Sequence, residues 1–333
     1  MDVTDDAPGL ALTALDPGRG GADGAEGADA LPVHVVDNGD LRLAFLPTVG
    51  GRLISVRCGG AELLWRNPEF LDDALATVRP RATGPPRDGG MGSWPNLGGS
   101  KTWPAPQGWS GPDEWPGPPD GVLDSGEWAV ESAHAPGGAL VVRLTSPDDP
   151  RTGLRVTRAF TVPARGRSFA QRTTFTNVCD RPVRWAVWEV AQVDTASGGE
   201  LWVDVAGTAE PVDLVDAFGR VGVGPVDGGR RRVAIEDVVG KVGFADATGA
   251  LSFRRPDGAG LDWRFDAPDG VNPDGGCQVE IWMQYPTPEP LEGPGSLHPT
   301  ARLLELEALT PLTVLAPGAS VRQEIVWTAV PPA

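Results

Sequence analysis

Apolar positions along this chain recur with a period of two. Val33 and Val35, Leu41, Leu43 and Phe45, Leu53 and Ser55, and Leu63 and Trp65 mark short segments separated by Asn-Gly, Gly-Gly and Pro turns. Successive side chains of a strand point to opposite faces, so each segment predicts a strand with one face in a core. Residues 139–146, 153–163 and 167–178 continue the pattern. Leu154, Val156, Phe160 and Val162 share a face in the second, while Phe169 and Phe175 share one with Gln171 and Thr173 in the third. Segments at 183–194, 200–206, 240–246, 250–254, 260–266, 277–285, 301–309 and 320–330 also read as strands. No alternating helical pattern and no repeat of fixed period accompanies them. The expectation is an all-β chain folded as an antiparallel sandwich of large sheets.

Two stretches break the pattern. Residues 1–30 are rich in Asp, Gly and Ala and nearly free of large apolar groups, which predicts a disordered acidic tail ahead of a single domain at 31–333. Residues 66–121 form a long stretch rich in Pro, Gly and Trp. Its indoles argue for an ordered and functional insertion, because exposed rings on a flexible loop would be a liability. The run Trp94-Pro-Asn-Leu-Gly-Gly-Ser-Lys-Thr-Trp-Pro-Ala-Pro-Gln-Gly-Trp109 lies within it. Five of the 12 tryptophans fall at 94, 103, 109, 115 and 128. Flat apolar rings beside a few polar groups suit a sugar face or another flat polar ligand.

Composition narrows the partners. The net charge of −17 disfavours nucleic acid and anionic membranes, which attract basic surfaces. The 45 Gly and 34 Pro fit frequent turns and few long helices. Cys58, Cys179 and Cys277 show no metal-ligand spacing, and a sparse odd set fits a reducing compartment. With no basic and apolar leader at the start and no apolar run of membrane-spanning length, the expected location is the cytoplasm. No metal or cofactor is expected.

The candidate chemistry lies on strand faces. Lys101 and Lys241 are the only lysines among 28 basic residues, so each raises the question of why arginine would not serve. A compact ammonium that shifts its pKa readily is one answer. Lys101, set between Gly98-Gly99 and Trp103-Pro104, is a candidate ligand-binding or acid residue. The Gly-Gly pair is no phosphate-binding fingerprint, because Pro104 and Pro106 forbid the helix that one requires. Glu305 and Glu307 share one face of their strand, with Leu304, Leu306 and Ala308 on the other. Glu280, Trp282 and Gln284 share a face and suit sugar hydroxyls and a sugar ring. On 183–194, Trp185, Val187 and Glu189 share one face, while Ala186, Trp188, Val190 and Gln192 share the other. Only one set can face a cleft. Glu189 among Val and Trp would be a buried carboxyl suited to act as an acid, or a structural partner for Arg172 or Arg184. Asn96, Trp103, Gln107, Trp109, Trp188 and His298 complete the candidate ligand contacts.

Three motifs together resemble the galactose mutarotase-like (aldose 1-epimerase) superfamily. They are Gly50–Trp65, a glycine-led hairpin; Thr174–Trp188, in which an Asn-x-x-Asp turn precedes a strand; and Leu303–Pro311 with Leu315-Ala-Pro-Gly-Ala-Ser320, a glutamate-bearing strand before a Pro-Gly turn. The Asn96-x-Gly-Gly-x-Lys-x-Trp-Pro-Ala-Pro-Gln107 run resembles a signature of a bacterial branch of that superfamily. The resemblance covers about residues 33–330 and implies a β-supersandwich that interconverts sugar anomers without a metal. It also implies an acid for the ring oxygen and a base for the anomeric hydroxyl. The family's base is a glutamate on the closing strand, which here is Glu305 or Glu307. Its acid is a histidine on the central strand. The only histidines are His34, His134 and His298, and 183–194 holds none. Trp188 and Glu189 stand near that position, and Lys101 or Glu189 would take the acid role. A carbohydrate-binding module without catalysis and a tailoring enzyme for a non-sugar ligand are the alternatives.

Overall fold

Burial along the strands follows the alternation. In Leu154–Val162 every second residue is buried, while Val279–Gln284 and Leu303–Leu309 are buried at every position. The first kind has one face in a core and one in water. The second lies mid-sheet with both faces covered. A computed structural model of the chain describes residues 10–15, 30–79, 90–108, 110–293 and 295–333.

Two antiparallel sheets hold these strands. The first has 12 strands and runs Thr13–Ala14, His34–Asp37, Leu41–Leu46, Arg52–Cys58, Ser100–Ala105, Val183–Asp194, Leu303–Leu309, Val279–Gln284, Val239–Phe244, Val212–Phe218. Ala61–Glu62 adds to Arg52–Cys58, and Thr313–Leu315 to Val183–Asp194. The second has 10 and runs Val223–Asp227, Arg230–Val233, Glu200–Val205, Ala247–Arg254, Gly260–Phe265, Ser320–Val330, Ser168–Asn177, Leu154–Val162, Leu140–Thr145, Ala129–His134. Rings from both sheets meet between them. Phe45 lies 5.0 Å from Phe160, and Trp327 lies 5.4 Å from Phe169 and 4.6 Å from Trp263, at offset and tilted angles that aromatic pairs favour.

The fold departs from the sequence pattern in two places. Within the segment read as a tail, Thr13–Ala14 pairs with Val35 and His34 at the edge of the first sheet. Leu10, Leu12 and Leu15 give that short stretch enough apolar surface to pack on the core. Residues 1–9 and 16–29 lie outside the described residues. Within the long insertion, Ser100–Ala105 is a buried strand. Its burial on both faces hides any alternation. It meets Arg52–Cys58 only at Leu53, so Pro104 sits where the strand is paired on one side alone.

A buried ion pair ties the sheets together beneath that strand. Glu189 faces the inter-sheet core, on the opposite side of its strand from Trp188. Its Oε1 accepts from Arg158 at 2.7 Å and Ser100 Oγ at 2.5 Å, while Oε2 accepts from Gln171 at 2.7 Å and from Thr102 Oγ1. Arg158 also donates to the carbonyls of Gly51 and Ser100, at 2.9 and 3.0 Å. This corrects the expectation that Glu189 is an acid at a cleft: both its oxygens are occupied within the core, and its partner is Arg158 rather than Arg172 or Arg184. Glu189→Ala would strand the Arg158 charge in the core. The variant is expected to lose about 3–5 kcal/mol in urea denaturation. A loss below about 1 kcal/mol would contradict the cross-tie.

Candidate functional site

Strand alternation decides which residues meet. Leu304, Leu306 and Ala308 enter the main core, so Glu305 and Glu307 emerge on the other face of the first sheet. Cross-strand register then aligns three rows there. Gln192, Glu305, Trp282 and Lys241 form one; Lys101, Val190, Glu307 and Glu280 the next; Trp103 and Trp188 the third. Neighbours in such rows stand close enough for their side chains to interact. Of the two faces of 183–194, the one carrying Trp188 and Gln192 looks into the cleft.

Two lysines serve the three glutamates. Lys101 Nζ lies 3.0 Å from Glu305 Oε1, and the Gln192 amide donates to the same oxygen at 2.6 Å. The ammonium stands 4.9 Å from the Trp103 ring and 5.2 Å from that of Trp94, within cation–π range. Burial pulls the Lys101 amine down to about 8, against the opposing pull of the Glu305 carboxylate. Lys241 Nζ lies 2.5 Å from Glu280 Oε2 and 2.8 Å from Glu307 Oε2, and 4.5 Å from the Trp188 ring centre. The Trp188 indole N–H donates to Glu307 Oε2 at 2.6 Å.

The second cluster is one positive charge short. Burial pushes the Glu280 carboxyl up to about 8, with Lys241 opposing and Glu307 adding to the rise. Burial pushes Glu307 up to about 7, with Lys241 opposing and Glu305 adding. Burial disfavours the Lys241 ammonium, but the two carboxylates outweigh it and hold the amine above its ordinary value. Lys241 therefore stays charged, and the carboxyl pair retains a proton near neutral pH.

These groups floor a cleft of about 570 Å³, open mouth included. Glu305, Glu307, Lys241 and Gln284 supply its polar surface together with Gln107, and the rings of Trp94, Trp103, Trp188 and Trp282 its walls. Among the sequence candidates, Trp103, Gln107, Trp188, Trp282, Gln284, Glu305 and Glu307 converge there. Lys101 and Glu280 stand behind the surface, each in contact with a lining carboxylate or its lysine. Lys101 thus reaches the cleft through Glu305, which corrects its reading as the group that hands a proton to a ligand.

Asn96 and His298 lie elsewhere. Asn96 is a turn residue at φ +38° whose carbonyl accepts from Asn67. His298 is exposed, with Nε2 3.0 Å from the Thr287 carbonyl. Trp109 lies outside the described residues. Lys241 is the main residue missed among the site candidates. Its rarity as one of two lysines was the available signal, but its partners became visible only through strand register. Among the described residues, no group of three or more His, Cys, Asp or Glu side chains could hold a metal ion, and no helix is long and apolar enough to cross a membrane.

The raised carboxyls couple stability to pH. A group whose pKa is higher in the folded than in the unfolded chain holds stability that is present at low pH and lost as pH rises through the folded value. Glu280 and Glu307 should therefore make the protein less stable from about pH 5 to pH 8. Glu280→Gln, which resembles the protonated carboxyl, should flatten that decline in urea midpoints measured at pH 6 and pH 8. An unchanged slope would contradict the shared proton.

No protein-family model matches this sequence, and no curated protein does. Solved structures match it by shape. A putative mutarotase from Salmonella typhimurium is 14% identical over 98% of this chain and 95% of that one, with a TM-score of 0.56. A putative aldose 1-epimerase from Klebsiella pneumoniae is 15% identical over 97% and 88%, with a TM-score of 0.55. A TPR-domain containing protein from Parabacteroides distasonis is 13% identical, with a TM-score of 0.57 over 96% of this chain. This chain matches 53% of that protein's length, about half. At such identities the likeness is one of architecture, and the chain has the galactose mutarotase-like sandwich fold.

Proposed function

We propose that this protein is a carbohydrate-active isomerase that interconverts the anomers of a cyclic sugar by acid–base chemistry. One observation carries the reading: Glu305 and Glu307, neighbours on one strand face, open into the same cleft with opposite surroundings. Both close contacts of Glu305 fall on Oε1, from the Lys101 ammonium and the Gln192 amide. Among the described residues Oε2 takes none, which leaves it for a ligand hydroxyl. Glu307 belongs to the carboxyl pair that keeps a proton near neutrality. Two neighbouring carboxyls held by different partners are how a site can divide base from acid.

In this reading Glu305 removes the anomeric hydroxyl proton. The O–H electron pair becomes the carbonyl π bond, and the pair of the breaking ring C–O bond moves onto the ring oxygen. Glu307 protonates that oxygen, and Lys241 stabilises the carboxylate that remains. Rotation about the freed bond and the reverse steps give the other anomer. Trp188 stands near the place where the resemblance puts a histidine, and its N–H donates to Glu307 instead. The glutamate of the closing strand is retained, and Lys101 becomes a positioning residue for it.

Anomer exchange of a panel of aldoses, followed by NMR, tests this. The protein should accelerate exchange over buffer. Glu305→Gln and Glu307→Gln should each lower the rate about 10²–10⁴-fold while ligand binding survives. The rate should also fall as pH rises through about 7, where Glu307 gives up its proton. Ligand binding with no acceleration by the unsubstituted protein would instead identify a non-catalytic binding module.

A further inference from the structure

Among the described residues, the cleft offers few hydrogen-bonding groups for a ligand of many hydroxyls. Three of its four indole N–H groups are already used: Trp188 donates to Glu307, Trp282 to Gln284 Oε1 at 3.0 Å, and Trp94 to Asp124 Oδ2 at 3.1 Å. The fourth, on Trp103, is sealed from solvent with no partner among the described residues. The Gln284 amide also donates to the Ala301 carbonyl at 3.1 Å. Among the described residues, what remains is the Gln107 amide, whose nitrogen already lies 3.2 Å from Met91 Sδ, the free side of Lys241, and the two glutamates. Both glutamates are needed at the anomeric centre.

Another part of the lining is aliphatic. Met91 and Leu297 belong to an apolar cluster with Trp282, and Val215 and Trp94 pack on it, outside the main core. All five line the cleft. Among the described residues no arginine lines it, and Lys241 is already matched by carboxylates, so none of them is left to neutralise a phosphate or carboxylate on a ligand. A hexose carries a hydroxyl on almost every carbon. One buried against methyl and thioether groups loses water without gaining a partner.

We propose that the preferred ligand is a neutral deoxysugar, a pyranose that ends in a methyl group where an ordinary hexose carries hydroxymethyl. The acid–base edge of the ring faces Glu305 and Glu307, the indoles cover its faces, and the methyl packs among Met91, Val215 and Leu297. The inference rests on the anomer-exchange reading and narrows it to a substrate class.

Matched pairs test it on the full chain: L-rhamnose against L-mannose, D-fucose against D-galactose, and D-quinovose against D-glucose. Binding is read by tryptophan fluorescence, which four cleft indoles make sensitive, and anomer exchange by NMR. In at least one pair the deoxysugar should bind about 10–100-fold more tightly, the discrimination an apolar pocket makes against an added hydroxyl. Leu297→Asn should shrink that ratio while leaving the far-UV circular dichroism of the free protein unchanged. Equal or tighter binding of the hydroxymethyl sugar in every pair that binds overturns the inference. If both members of a pair are also exchanged, the anomer-exchange reading stands without it. If none of the six sugars binds or is exchanged, both fall.

Discussion

A carboxylate can be buried in a sheet only if a counter-charge is buried with it, and the strand Leu303–Leu309 buries two. Alternation puts three apolar side chains of that strand into the core and forces Glu305 and Glu307 onto the opposite face. Desolvating either carboxylate alone would cost several kcal/mol. Lys101 and Lys241 meet that requirement, one behind each glutamate. This is where the chain's scarce lysines go. Lys241 brings one nitrogen within 2.8 Å of two carboxylates while standing over the Trp188 ring, a geometry suited to a compact ammonium. The planar fork of a guanidinium suits a single carboxylate held by two parallel bonds.

The compensation is unequal, and the inequality is what gives the cleft its chemistry. Glu305 has a lysine to itself. Glu280 and Glu307 share one, so a proton stays in that cluster near neutral pH. The cleft walls depend on further buried pairs. Arg52 lies 2.5 Å from Asp124, and Asp124 in turn accepts the Trp94 indole N–H. Arg158 and Glu189 anchor the strand that carries Lys101. Tryptophan rings thus stand at fixed angles over charged groups because a second layer of ion pairs holds the segments that bear them.

Much of this was legible in the sequence at the level of faces. Alternation alone set Glu305 and Glu307 together, aligned Glu280, Trp282 and Gln284, and divided 183–194 into two faces. It could not say which face of 183–194 met the cleft, because both are buried. Pairing was the harder part. Lys101 and Glu305 lie 204 residues apart, and Arg158 meets Glu189 across the two sheets. Such partners follow from sheet order and register, which no local pattern encodes. Ser100–Ala105 escaped for a related reason: a strand buried on both sides, interrupted by proline, has no period to read. Asn96 and His298 lay in turns whose direction relative to the cleft is set by long-range packing.

The central claim is that two lysines and three glutamates divide into one unit with matched charge and one that holds a proton. Carboxyl carbon NMR of the glutamate side chains, assigned by single Glu→Gln variants and followed from pH 4 to pH 9, tests it most directly. The account predicts that Glu307 and Glu280 titrate as a coupled pair near about 7 and about 8. Completion of both titrations below about pH 5, in the range of ordinary glutamates, would contradict it.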